Sequence, residues 1–90
     1  MRGIERTTKF KRDYKREKRT DRNLDEFLLP VLELLASDKP LPDNLRDHGL
    51  TGNWSRYREC HIRPDLLLIY SKSDEFTLQL VRLGSHSELF

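Results

Sequence analysis

Ninety residues are enough for one small domain with one modest core and exclude a second domain. Apolar and charged residues each make up 36% of the chain, so the core must come from a few dense segments, and the lone cysteine, Cys60, excludes an internal disulfide or a multi-cysteine metal cage. The net charge of +2 hides an asymmetry: residues 1 to 22 hold ten Lys or Arg against four acids, and the rest of the chain is acidic.

The segment GIERTT, residues 3 to 8, reads as an edge strand or an ordered lead-in. Thr7 or Thr8 then caps a helix through KFKRDYKREKR, whose only apolar members, Phe10 and Tyr14, lie four apart on one face. That helix belongs on the surface, and its basic circumference suggests a polyanionic partner, nucleic acid before membrane, since no broad apolar face accompanies the charge. A second helix is expected after a cap at Asp21 or Asn23, with Leu24, Phe27, Leu28, Val31, Leu32 and Leu35 at three- and four-residue spacing. Pro30 interrupts it and is expected to kink or split the helix near Phe27.

Residues 37 to 44, SDKPLPDN, form a polar connection too rich in breakers for helix or central strand. Three strands follow, at 53 to 62, 65 to 72 and 75 to 84, with turns at 63 to 64 and 73 to 74 short enough to require antiparallel pairing. The tail SHSELF reads as a polar turn or a half-turn of helix. This order predicts an α+β domain in which two helices cover one face of a small, mainly antiparallel sheet and leave the other free for a site. No run approaches the roughly 18 apolar residues of a membrane span, and no apolar leader opens the chain, so a soluble, cytoplasmic protein is expected.

The three histidines, His48, His61 and His86, all fall near strand ends or in loops of the second half. A lone histidine often only completes a local hydrogen-bond network, but antiparallel order collects His61, Asp65, Arg82 and His86 at one end of the sheet. Two imidazoles that exchange protons near neutrality and an arginine fork that holds two phosphate oxygens suit phosphoryl transfer at RNA. That chemistry requires no metal, and the sequence has neither His-x3-His nor Cys-x2-Cys spacing, so neither metal nor cofactor is expected. Cys60 alternates to the face opposite His61 and reads as a core filler, not a nucleophile. Strict alternation places Arg82 with Phe76, Leu78 and Leu80, which look like core, so either a twist or a bulge exposes its guanidinium or Arg82 is merely a rim residue.

The strings RDHGLTGNWSRYRECHIRPDLLLIY and VRLGSHSELF resemble the RelE/YafQ-type toxins of bacterial toxin–antitoxin modules, most strongly over residues 46 to 90. The resemblance implies a RelE-like fold, a metal-independent, ribosome-dependent mRNA endonuclease, and an active-site set at His48, His61, Asp65, Arg82, His86 and Phe90. It implies 2′-hydroxyl attack on the adjacent phosphate, with Arg82 on the phosphate oxygens, His86 protonating the leaving oxygen, and His48, His61 and Asp65 sharing base and positioning roles. Phe90 would stack on a base, while Lys9, Lys11, Arg12, Lys15 and Arg16 would grip ribosomal RNA. An antitoxin partner is implied, with operator DNA bound only through that complex. Some relatives carry an aromatic after the aspartate where this chain has Leu66. Two other readings fit the residues alone: a non-catalytic RNA- or ribosome-binding module with structural histidines, and a protein-interaction domain that serves only to complex a partner.

Overall fold

The computed structural model describes residues 1 to 90. Strand β1 (Gly3–Arg6) leads into helices α1 (Thr8–Thr20) and α2 (Leu24–Ala36). Beyond a linker come strands β2 (His48–Gly49), β3 (Arg58–Arg63), β4 (Leu66–Ser71) and β5 (Thr77–Gly84), and a single turn of helix, α3 (His86–Leu89), ends the chain. The five strands form one sheet in the order β1-β5-β4-β3-β2; β1 runs parallel to β5, from which both helices and three strands separate it in the chain, and the other pairs are antiparallel.

Thr7 caps α1, its hydroxyl accepting from Phe10 N at 3.0 Å. Phe10 is buried and Tyr14 half-buried on that helix's inner face. In α2, Leu24, Leu28, Val31, Leu32, Leu35 and Ala36 are all buried against the sheet, where they meet Cys60, Ile62, Leu66, Leu68, Tyr70, Leu78, Leu80 and Leu83. Leu68, Leu78 and Leu83 are completely inaccessible, so this layer between helices and sheet is the main core. Cys60 lies in it, and burial pushes its thiol up to about 12, as befits a packing residue. No helix is long and apolar enough to cross a membrane.

Several expectations need correction. Pro30 does not split α2, which runs unbroken from Leu24 to Ala36. The proline and Glu26, whose carbonyl it leaves without an intrahelical donor, are both exposed, so water can satisfy that carbonyl while the buried leucines hold the helix in place. Phe27 is not core but 40% exposed, covered by the Arg63 guanidinium 4.0 Å from its ring centroid. Phe76 is 76% exposed in the loop before β5. The first strand of the trio begins at Arg58 instead of residue 53, because Gly52–Trp54 forms a 3-10 turn, and the two-residue β2 adds an edge that periodicity could not reveal.

A second, smaller apolar cluster occupies the face away from α2: Leu67, Ile69 and Leu89, with Val81, Leu50, Trp54 and Tyr57 against them. Of the alternatives at Arg82 the structure has the bulge, since Ile69 pairs with Arg82 but Tyr70 with Leu80. The extra residue, Val81, breaks alternation in β5, so that Leu80 and Leu83 both reach the main core while Arg82 falls in line with Ile69.

Candidate active site on the open sheet face

Pairing register carries one line of residues across the sheet: His48 opposite Glu59, Glu59 opposite Ile69, Ile69 opposite Arg82. The next line toward the β3–β4 corner runs His61, Leu67, Gly84, about 7 Å away along the strands. Residues paired directly share a face, so His48, His61 and Arg82 project from the side opposite the main core. Asp65 sits at the exposed corner after Arg63 and Pro64, and His86 starts α3 two residues beyond Gly84.

Local structure explains how each group is held. The segment before β2 is pinned by Asp47, whose carboxylate accepts from the Tyr70 hydroxyl and from Arg58 Nε at 3.3 Å. Burial, then the hydrogen bond to Asp47, raises the Tyr70 phenol well above its ordinary value, which keeps it a donor. His48 lies between two acceptors: Nδ1 is 2.6 Å from Arg46 O, and Nε2 is 3.1 Å from Oε2 of the buried Glu59. Both ring nitrogens therefore face oxygens, so the ring is held from its two sides. His61 is half-buried and lines a cleft of about 400 Å³ with Asn44, Arg46 and Arg63. Asp65 belongs to a different cleft of about 550 Å³, beside Glu17, Asp21 and Arg63. The corner thus brings His61 and Asp65 to one end of the sheet and places them on its two sides.

Helix α3 carries His86 and Phe90 and is closed by a capping box: Glu88 N donates to Ser85 Oγ at 3.2 Å, and Ser85 N donates to Glu88 Oε1 at 2.7 Å. The His86 and Phe90 rings are 5.2 Å apart, and Phe90 meets Trp54 edge-on at 5.6 Å, with Tyr57 on the far side of Trp54 at 5.5 Å. Phe90 remains half exposed at the end of this aromatic row, a flat surface next to the His86 imidazole.

The α1 side chains divide sharply. Lys9, Lys11, Arg12 and Lys15 are exposed. Arg16 is committed internally: Nη1 donates to Asp13 Oδ1 at 3.1 Å and Nη2 to Leu83 O at 3.1 Å, and Nε lies 3.1 Å from Glu88 Oε2. It passes close over Gly84, where a Cβ would come within 2.9 Å of Arg16 Nη2 and 3.2 Å of Glu88 Oε1, so a side chain here would have to displace these two ends. Leu83 and its neighbours lie beyond the end of β1, and α1 takes over as their edge partner. Thr7 Oγ1 donates to Val81 O at 2.8 Å, and Leu83 N donates to Asp13 Oδ2 at 3.0 Å.

Asp13, Glu59, Asp47 and Trp54 are the site-building residues that pattern reading passed over. Asp13 had a signal: it is an acid on the same helix face as Phe10 in a predominantly basic helix. Glu59 had none, since only the β2–β3 register places it opposite His48. No group of three or more His, Cys, Asp or Glu side chains is arranged to hold a metal ion.

The model of the YafQ family, bacterial toxins of type II toxin–antitoxin systems, matches residues 2–90. The chain belongs to the YafQ toxin family. The mRNA interferase toxin YafQ of Escherichia coli K12 is 33% identical over 90 residues, spanning 100% of this chain and 97% of that one. A copper-bound mutant toxin from Helicobacter pylori superposes with a TM-score of 0.92 at 39% identity, with both chains fully covered. YafQ in the E. coli DinJ–YafQ complex superposes with a TM-score of 0.81 at 34% identity, covering 100% of this chain and 99% of that one. As a YafQ-family toxin the chain has the α+β fold read from its sequence, on a sheet that is mixed through β1.

Proposed function

We propose that this YafQ-family chain is an endoribonuclease that cleaves messenger RNA in the ribosomal decoding site, in the cytoplasm, and is neutralised by a cognate antitoxin through which alone it meets operator DNA. The observation that carries the reading is the pairing register, which sets His61 and the start of α3, with His86, on either side of the β4 strand on one open face. His61 projects from β3, and α3 starts just past the end of β5, two strand spacings or about 10 Å from β3, which leaves room for a phosphodiester between them.

In this mechanism His61 removes the proton from the ribose 2′-hydroxyl and that oxygen attacks the adjacent phosphorus. The bond to the 5′-oxygen breaks, His86 returns a proton to it, and the products are a 2′,3′-cyclic phosphate and a free 5′-hydroxyl. Arg82 stabilises the charge that develops on the non-bridging oxygens. His48, with both ring nitrogens held by Arg46 O and Glu59, is assigned to positioning and not to the base. Asp65 opens on the cleft toward α1 and is assigned to positioning of the flanking nucleotide. Phe90 offers its exposed half to a base, in place of the aromatic that Leu66 does not supply, since Leu66 is itself buried in the main core. These steps require only the chain's own groups, so cleavage is assigned a metal-independent course. Lys9, Lys11, Arg12 and Lys15 face ribosomal RNA phosphates, with Arg16 as the internal clamp behind them.

The test is end-mapping of a defined message on translating ribosomes. Cyclic phosphate ends should appear with the parent and fall by about 10²- to 10⁴-fold with His86→Ala. Because His86 is exposed, its loss should leave folding intact. Unchanged ends with the parent protein would leave a ribosome-binding module without catalysis.

A further inference from the structure

We infer that Asp13, through its side-on grip on Arg82, is the positioning residue that sets the phosphate-binding edge of the candidate active site. The inference rests on the reading of Arg82 as the phosphate ligand and deepens it.

Asp13 is 3% exposed on the inner face of α1, and its carboxylate takes four donors from three directions. Arg82 Nε donates to Oδ2 at 2.7 Å and Nη2 to Oδ1 at 3.3 Å; Leu83 N donates to Oδ2 at 3.0 Å; Arg16 Nη1 donates to Oδ1 at 3.1 Å. Burial pushes this carboxyl upward, but the Arg82 hydrogen bond, the Leu83 N–H and the two guanidinium charges together hold it below the ordinary aspartate range. It is therefore an anion fixed in place.

A guanidinium has two edges that can fork onto a pair of oxygens, one made by Nε and one Nη, the other by the two Nη atoms. Asp13 occupies the first, so the second remains for a phosphate. The bulge at Val81 makes this possible. It turns Arg82 out of the core line, and because β1 ends opposite Leu80, the edge of β5 beyond it is open to a carboxylate from α1. A lysine at position 82 could not be held this way, because an ammonium has no second edge to present. Arg82 retains only 20% side-chain exposure, so its rotamers are few and its outward edge is preset before RNA arrives.

The experiment is a kinetic cycle on the full-length toxin with a defined message on ribosomes, using Asp13→Asn, Arg82→Gln and the double variant, with thermal melting of each. Asp13→Asn keeps shape and one acceptor but turns an amide toward Arg82. It is expected to lower kcat about 10- to 100-fold with KM nearly unchanged. Arg82→Gln should lower kcat at least as much, and the double variant should match Arg82→Gln, since a positioning residue has nothing left to act through. If Asp13→Asn is folded and as fast as the parent, or if its loss multiplies that of Arg82→Gln, the inference is overturned while Arg82 keeps its role. If Arg82→Gln cleaves like the parent, the reading of Arg82 fails first and the inference with it. Should Asp13→Asn not fold, Asp13→Glu, which keeps the charge and displaces the guanidinium by one methylene, is scored by the same cycle.

Discussion

Replacing Glu88 by alanine should detach the C-terminal turn from the body of the protein without unfolding the rest. Glu88 holds α3 in two ways: it completes the capping box with Ser85, and it forms an ion pair with Arg16 at 3.1 Å. Loss of the box costs about 1 kcal/mol, and the ion pair, with side chains 43% and 38% exposed, adds at most about 1 kcal/mol. What remains is the buried Leu89 side chain and the Phe90 ring on Trp54. A loss of 1 to 2 kcal/mol shifts the docked-to-frayed ratio of α3 by about 5- to 30-fold, which bounds the expected fall in cleavage rate. Amide hydrogen exchange at residues 85 to 90 reports the docking, end-mapped message reports the rate, and the melting temperature should move little because α3 lies outside the main core. Glu88→Gln, which keeps an acceptor for Ser85 N, should lie between parent and Glu88→Ala. The hydrogen bonds from Ser85 N and then the Ser85 hydroxyl place the folded Glu88 pKa below its unfolded value. Its contribution is therefore present above the ordinary glutamate range and lost as pH falls through the folded value, so the parent's α3 should loosen on acidification and the alanine variant should show no further change. Loosened residues 85 to 90 with an undiminished rate would refute the claim that α3 must be docked for cleavage.

Charge reversal at Lys11 and Lys15, both exposed on α1, should weaken ribosome association and flatten its dependence on salt, as measured by cosedimentation over a salt series, without altering thermal stability. Leu68→Ala, at a fully buried position in the middle of β4, should cost about 2 to 5 kcal/mol in denaturant unfolding. The folded Asp13 carboxyl lies below its unfolded value, so its stabilisation is present above the ordinary aspartate range and disappears as pH falls through the folded value. Asp13→Asn should accordingly flatten the acid limb of the stability profile, read from melting temperature against pH.

By itself the sequence determined most of the elements and their faces, since periodicity is a local property that burial of one face enforces. A cap at Thr7 or Thr8, the leucine stripe of α2, the apolar run of β4 and the turn between β3 and β4 were all legible there, and so was the conflict at Arg82, which the bulge at Val81 resolves. The family resemblance named the candidate residues His48, His61, Asp65, Arg82, His86 and Phe90. Only the tertiary structure decided how they are held. Pro30 does not break α2 because its cost depends on whether the freed carbonyl meets water, and Phe27 lies outside the core because a helix stripe can extend beyond the surface that covers it. Glu59 beside His48, Arg16 turned inward over Gly84, and Asp13 beneath Arg82 are contacts between residues far apart in the chain. Such contacts depend on register and on where a neighbouring strand stops. Because β1 ends opposite Leu80, the next stretch of β5 has to be completed by side chains of α1. That vacancy, invisible in the order of residues, is what places a buried carboxylate against the arginine of the candidate site.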